Sequence, residues 1–136
     1  MPCPYFEPKQ VAAQPKHPGA RLPLLDEYDG LCHAMTDAVP IPEQVRFRCC
    51  NHGYSRGACE RFPADECRSG LRYNVVRRTD TGLEVICVEE AEYTPLRWHS
   101  IRYFSDSQRI EPELNDICME AQLVAFCDSY LKRFPG

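Results

Sequence analysis

Residues 71–90, LRYNVVRRTDTGLEVICVEE, contain two strand-like runs separated by a turn. The runs at 71–79 and 82–90 are rich in β-branched residues, and the link Thr79-Asp80-Thr81-Gly82 is typical of a hairpin turn. A third run at 96–104 also contains aromatic residues and isoleucine. The sequence therefore predicts a small antiparallel sheet of about three strands.

A helix is predicted to follow this sheet over residues 111–133. Acidic residues occur in its first turn and Lys132 and Arg133 in its last, which suits the helix dipole. One apolar stripe, fit to cover a sheet, consists of Leu114, Ile117, Cys118, Ala121, Val124 and Ala125. A second stripe, on a roughly opposite face, consists of Met119, Leu123, Phe126, Cys127, Tyr130 and Phe134. We expect the proline-rich N-terminal arm to bury this second stripe, or a second copy of the chain or another partner to bind it.

The N-terminal half has a different character. Residues 1–30 contain six prolines and show no helical or strand period, which predicts an extended arm that packs on the domain. Residues 41–50 predict a short helix that Asn51 and Gly53 would end. The predicted fold class is α+β, with one domain over residues 1–136. Its cofactor-binding half, 1–67, would be irregular and organised around a metal site, and 68–136 would hold the sheet and helix.

Length and composition limit the class of protein. A chain of 136 residues with 43% hydrophobic and 26% charged residues is long enough to bury one core. It contains no apolar run of transmembrane length, so we expect no membrane association. The N-terminal residues also lack an apolar leader, so we expect a cytoplasmic protein, in a compartment where structural disulfides are rare.

Nine cysteines are the most unusual feature of the composition, and an odd number cannot all pair in intramolecular disulfides. We expect Cys87, in a β-branched run, and Cys118 and Cys127, on the helix, to fill the core as small apolar residues. The other six lie in the half that lacks regular apolar periodicity: Cys3, Cys32, Cys49, Cys50, Cys59 and Cys67. Metal ligation would offset the entropy cost of ordering that half.

An iron–sulfur cluster, most simply [4Fe-4S], fits these cysteines best. Its separated iron corners can be reached by thiolates from distant loops, which Cys3, Cys32, Cys50 and Cys59 would supply. Nearby glycines (Gly30, Gly53 and Gly57) would allow tight loops, and Tyr5, Phe6, Tyr54 and Phe62 would form an apolar shell. His33 and His52 lie beside proposed ligands and would either hydrogen bond to sulfur or remain ordinary surface residues.

Two alternatives for these cysteines stay open. Zinc sites usually contain C-x2–4-C knuckles, and the sequence offers only Cys50 or Cys49 with His52 as an approach to one. The cysteines would otherwise bind no metal at all.

A sequence pattern supports one choice among the ligands. Residues 3–6 and 50–63 follow the pattern CPYF … CNxGYxxGxCxRFP, which resembles small, uncharacterised, cysteine-rich bacterial proteins. The resemblance covers about a third of the chain and implies no activity. It favours Cys50 over Cys49 as the ligand.

These observations predict an electron-transfer or redox-sensing protein with an unknown redox or protein partner and no catalytic residues. One alternative is an enzyme with an open iron site, served by Cys49, Cys67 or His52. The other is a structural zinc or metal-free module that binds protein or RNA. Residues 46–78 carry eight arginines against three acidic residues, which predicts either internal ion pairs or a docking patch for an acidic partner or RNA. Internal pairing is the simpler interpretation, and nucleic acid is not the expected partner.

Overall fold

The computed structural model of the chain describes residues 1–53, 59–63, 70–91 and 94–135. They form two small antiparallel sheets and a long C-terminal helix, which confirms the predicted α+β class. The buried core contains residues from both halves of the chain. None of the described helices is long and apolar enough to span a membrane.

The N-terminal half contains a three-stranded sheet, which the prediction of an irregular half with one short helix did not include. Its strands are β1 (Phe6–Val11), β2 (Tyr28–Cys32) and β3 (Val39–Pro40), in the order β1-β2-β3. Strand β1 tolerates Pro8 because it lies at the sheet edge and its register shifts between Pro8 and Gln10. Because proline is rare in strands, the sequence pattern did not predict β1.

Gly30 is a strand residue, not a loop residue as expected. It pairs with Pro8, and a Cβ atom at Gly30 would lie 2.0 Å from the carbonyl oxygen of Glu7. Only glycine allows β1 and β2 to approach this closely without a backbone shift.

The second sheet contains the predicted hairpin and one strand more than expected. Its strands are β4 (Gly70–Arg78), β5 (Gly82–Ala91), β6 (Thr94–Phe104) and β7 (Arg109–Glu111), paired in chain order. The short β7 occupies part of the segment assigned to the start of the helix. Helix α2 (Ile117–Arg133) instead begins after Asp116, whose carboxylate accepts hydrogen bonds from the backbone N–H groups of Cys118 and Met119.

Helix α2 packs against both sheets, so both of its apolar stripes contribute to the core. Phe126 of the second stripe stacks on Tyr73 of β4, with ring centroids 5.0 Å apart. On the β2 side, the carbonyl oxygen of Ala125 accepts a hydrogen bond of 2.9 Å from the Tyr28 hydroxyl. The second stripe is thus largely buried by its own chain. Little of the stripe is left for the alternative of an interface with a second copy or partner, and Phe134 at its end is 53% exposed.

The predicted helix over 41–50 forms differently from the expectation. One α-helical turn, α1 (Glu43–Val45), continues into a wider π-helical segment, Arg46–His52. Asn51 does not end this helix but lies buried within it, and Gly53 is extended. The π-helical segment brings Cys49 and Cys50 to the core.

Candidate metal centre

The four cysteines predicted as ligands line one cavity. The cavity between them is small, with a volume of about 20 Å³. Its described lining consists of Cys3, Tyr5, Phe6, Cys32, Ala34, Ile41, Cys49, Cys50, Cys59, Arg61 and Phe62. Thiols and apolar groups thus dominate the wall, and Arg61 is the one charged side chain among these residues.

Backbone hydrogen bonds connect the segments that carry these thiols. The N–H of Cys3, just before β1, donates 3.1 Å to the carbonyl oxygen of Cys50 on the π-helical segment. Cys32 ends β2 and pairs with Phe6 across the sheet. Around Cys59 the hydrogen bond is local, since its carbonyl oxygen accepts 3.1 Å from the N–H of Phe62 in the same segment. Residues far apart in sequence are thereby held around one space.

The four thiols differ in their access to solvent. Cys3, Cys32 and Cys50 are buried, at 9%, 9% and 8% exposure, whereas Cys59 is half-buried. A wider pocket shares Cys32, Cys50 and Cys59 with the cavity and is also lined by the exposed Val45 and Pro42. Cys59 is therefore the least buried of the four thiols.

Burial makes two of the thiols poor acids. It raises the pKa of Cys3 to about 12, with smaller contributions from Cys32 and Cys59. Burial also raises the pKa of Cys50, again helped by Cys3, Cys32 and Cys59. A reactive nucleophilic cysteine needs a lowered pKa, so these two thiols do not have the properties of catalytic nucleophiles. They would ionise only with a compensating positive charge nearby.

Aromatic and aliphatic side chains surround the thiols as expected. Tyr5 and Phe62 meet edge to face, with centroids 5.3 Å apart, and both are buried with Phe6 and Ile41. An apolar wall of this kind controls solvent access to a metal centre. The predicted shell member Tyr54 lies outside the described residues, as do Gly57 and Cys67.

Among the described residues, the thiols around the cavity do not form a site for one ion. No group of three or more His, Cys, Asp or Glu side chains within the described ranges is arranged to hold one metal ion. A cluster with separated iron corners does not require its thiolates to converge on one point. Five cysteines line the apolar cavity, the four proposed ligands and Cys49, and thiolate is the ligand type that such clusters use.

Neither histidine predicted beside the ligands lines this cavity. The imidazole Nε2 of His33 is paired with Glu7 Oε1 at 2.6 Å, and Lys9 Nζ lies 2.8 Å from the other oxygen of that carboxylate. His52 is exposed, and its ring lies 5.3 Å from that of Phe47. Among the described residues, the side chains that hydrogen bond to the backbone of the cysteine segments are therefore not these histidines.

Two buried carboxamides were missed by sequence reasoning. Asn51 and Gln122 are 0% and 1% exposed, and both hydrogen bond to backbone near the thiols. The sequence contained only two signals of these buried amides: a polar residue next to Cys50 and a polar residue between the stripes of α2. Such positions normally indicate helix caps or solvent-facing residues, so burial was not expected.

The arginines of residues 46–78 mostly form internal interactions where the structure describes them. Arg46 pairs with Glu27 at 2.7 Å, Arg72 with Glu90 at 2.6 Å, and Arg77 with Glu84 at 2.5 Å. Arg61 donates a hydrogen bond of 3.0 Å to the carbonyl oxygen of Pro40, and Arg78 donates to that of Phe134. Three of these arginines thus form ion pairs within the chain, of which Arg46 alone pairs with the acidic group before Cys32, while Arg56 and Arg68 lie outside the described residues.

Comparison with known proteins places the chain in no established group. No family model matches it, and neither the curated proteins nor the solved structures include a significant match.

Proposed function

We propose that the protein is a small iron–sulfur protein, most simply with one [4Fe-4S] cluster, that transfers electrons or senses redox state. One observation carries this proposal: Cys3, Cys32, Cys50 and Cys59 all line one apolar cavity. A bound cluster would supply one-electron chemistry, accepting an electron from a partner protein and passing it on. The cysteines would hold it, and the aromatic wall would limit contact with water.

The choice between a metal ligand and a catalytic thiol follows from acidity. A raised pKa counts against nucleophilic chemistry at Cys3 and Cys50. The same burial favours a role in which a metal provides the positive charge, because metal binding releases the thiol protons. Four protein ligands would also leave no iron open to a substrate, so we assign no catalytic residue.

A cluster-dependent enzyme is the principal alternative. Its cluster would have three cysteine ligands and one open iron, and Cys59 is the position to test first because it is the least buried of the four thiols. The Cys59→Ser protein separates the two cases. Loss of the native spectrum in this variant supports four ligands, whereas an unchanged spectrum supports three.

Reduction of the loaded protein tests electron transfer itself. After anaerobic reconstitution with iron and sulfide, we expect dithionite to bleach the visible absorption and air-free oxidation to restore it, with no loss of iron. A cluster that is stable but cannot be reduced would contradict electron transfer and support a purely structural role. Zinc bound in place of iron would support the alternative structural module.

A further inference from the structure

Two buried carboxamides, Asn51 and Gln122, make most of their hydrogen bonds to backbone that carries the proposed ligands. Buried polar side chains are expensive unless fully hydrogen bonded, and these two satisfy their polar atoms mainly through the cysteine-bearing segments. We propose that Asn51 and Gln122 are positioning residues that fix Cys50 and Cys3 around the cavity before any metal binds. This inference deepens the proposed function and rests on it for the role of the cysteines.

Asn51 connects the π-helical segment to strand β2. Its Oδ1 accepts a hydrogen bond of 2.8 Å from the N–H of Tyr28, and its Nδ2 donates one of 2.9 Å to the carbonyl oxygen of Tyr28. The same Nδ2 donates 3.0 Å to the carbonyl oxygen of Arg46, closing the wide turn that precedes it. The Asn51 side chain thus hydrogen bonds to β2 as the backbone of a neighbouring strand would. Cys50 directly precedes Asn51 in the sequence.

Gln122 performs the equivalent task for Cys3. From helix α2, its Nε2 donates hydrogen bonds of 2.8 Å to the carbonyl oxygens of Cys3 and Phe6. Its Oε1 accepts a bond of 3.0 Å from the Tyr73 hydroxyl, which fixes the orientation of the amide. The N-terminal segment is thereby attached to the helix at two carbonyl groups on either side of Tyr5.

The two amides hold the two partners of one backbone hydrogen bond. Cys3 donates its N–H to Cys50, so Gln122 holds the donor segment and Asn51 holds the acceptor segment. For Cys59, by contrast, the described hydrogen bond is the local one from Phe62. The proposal therefore predicts a selective effect: each amide protects its own cysteine, not the protein as a whole.

Alkylation of the metal-free, full-length protein tests this selectivity. Iodoacetamide would be applied to the wild type, Asn51→Ala and Gln122→Met, with each modified cysteine followed by peptide mass spectrometry. We expect alkylation of Cys50 to accelerate about tenfold or more in Asn51→Ala, and that of Cys3 similarly in Gln122→Met. Cys87 and Cys127, both 0% exposed in the core, should keep their wild-type rates. The exposed carboxamides Gln44 and Asn74, replaced by Ala, provide matched controls.

Each outcome is decisive. A uniform rise at every cysteine would overturn the proposal, because the amides would then only stabilise the fold, and wild-type rates at Cys50 and Cys3 would overturn it equally. Should Asn51→Ala fail to fold, Asn51→Asp keeps the acceptor to Tyr28 and loses both donor bonds, and the same selectivity is expected. A wild type that takes up no cluster would overturn the proposed function, while the alkylation pattern would still decide the role of the amides.

In a loaded protein the same residues have a second readout. We expect Asn51→Ala and Gln122→Met to release iron to a chelator several-fold faster than Gln44→Ala and Asn74→Ala, with altered visible spectra. Release at the control rate, with the wild-type spectrum, would contradict a positioning role.

Discussion

The backbone N–H of Cys3 donates a hydrogen bond of 3.1 Å to the carbonyl oxygen of Cys50. This bond joins the segment that precedes β1 to the π-helical segment, and both thiols line the same cavity. The site is therefore part of the fold's own hydrogen-bond network.

The ligand assignment predicts the effects of single Ser substitutions. Replacing Cys3, Cys32, Cys50 or Cys59 should each remove most of the iron bound after reconstitution, because a hydroxyl is a poorer ligand for iron than a thiolate. Cys49→Ser is the matched control, since Cys49 lines the same cavity and is expected to be dispensable. Iron and sulfide analysis of the five proteins gives the answer. Loss of iron in Cys49→Ser with retention in Cys50→Ser would reverse the assignment.

The metal-free protein should lose stability at alkaline pH. The pKa of Cys3 is about 12, raised from an ordinary value of 9.0 by burial, so the folded state binds this proton more tightly than the unfolded state does. Its contribution is complete below about pH 9 and is lost as the pH rises towards 12. Burial also raises the pKa of Tyr28 from 10.0 to about 12, which adds a loss of stability from about pH 10 upwards.

Thermal unfolding checks this dependence. The Tm of the metal-free wild type should fall between pH 9 and 11, and Cys3→Ser should show a shallower fall. A Tm independent of pH over that interval would contradict the assigned burial of Cys3.

Close packing of β1 on β2 makes Gly30 sensitive to substitution. Gly30→Ala would place a methyl group 2.0 Å from the carbonyl oxygen of Glu7 and should cost about 1–3 kcal/mol of unfolding free energy. Gly19→Ala is the control, because a Cβ atom there has nothing within 4 Å. Urea titration of both variants measures the difference. Equal stability of the two would show that the strands can separate without cost.

A buried ion pair supports the proline-rich arm. Glu27 and Arg46 are 3% and 8% exposed, and Glu27 also accepts a hydrogen bond of 2.9 Å from the backbone N–H of Lys16. Removing only one charge leaves the other buried without a partner, so Arg46→Met should destabilise the protein by about 3–5 kcal/mol. The double variant Glu27→Gln/Arg46→Met should be less destabilised than the sum of its single variants. Strict additivity in urea unfolding would show that the two charges do not interact.

The sequence predicted well the parts of the fold that depend on local pattern. The hairpin over 71–90 and the apolar character of α2 follow from period and turn chemistry, and Cys87, Cys118 and Cys127 are fully buried as expected. The four cysteines predicted as ligands line one cavity, and so does Cys49, which the sequence pattern set aside.

Non-local pairing accounts for most of what the sequence did not predict. Strand β1 contains Pro8 and forms only because β2 supplies its partner groups, and β7 is just three residues long. Asn51 and Gln122 are ordinary polar residues, and their structural role depends on which backbone groups hydrogen bond to their side chains. A single sequence contains no local signal of which distant backbone groups a side chain will hydrogen bond to.

The central claim is that the four cysteines hold an iron–sulfur cluster, and metal analysis of protein purified without oxygen tests it most directly. We expect a brown protein with iron and acid-labile sulfide in near-equal amounts, and Cys50→Ser colourless under the same conditions. A colourless wild type with stoichiometric zinc, or one without metal that also fails reconstitution, would contradict the account.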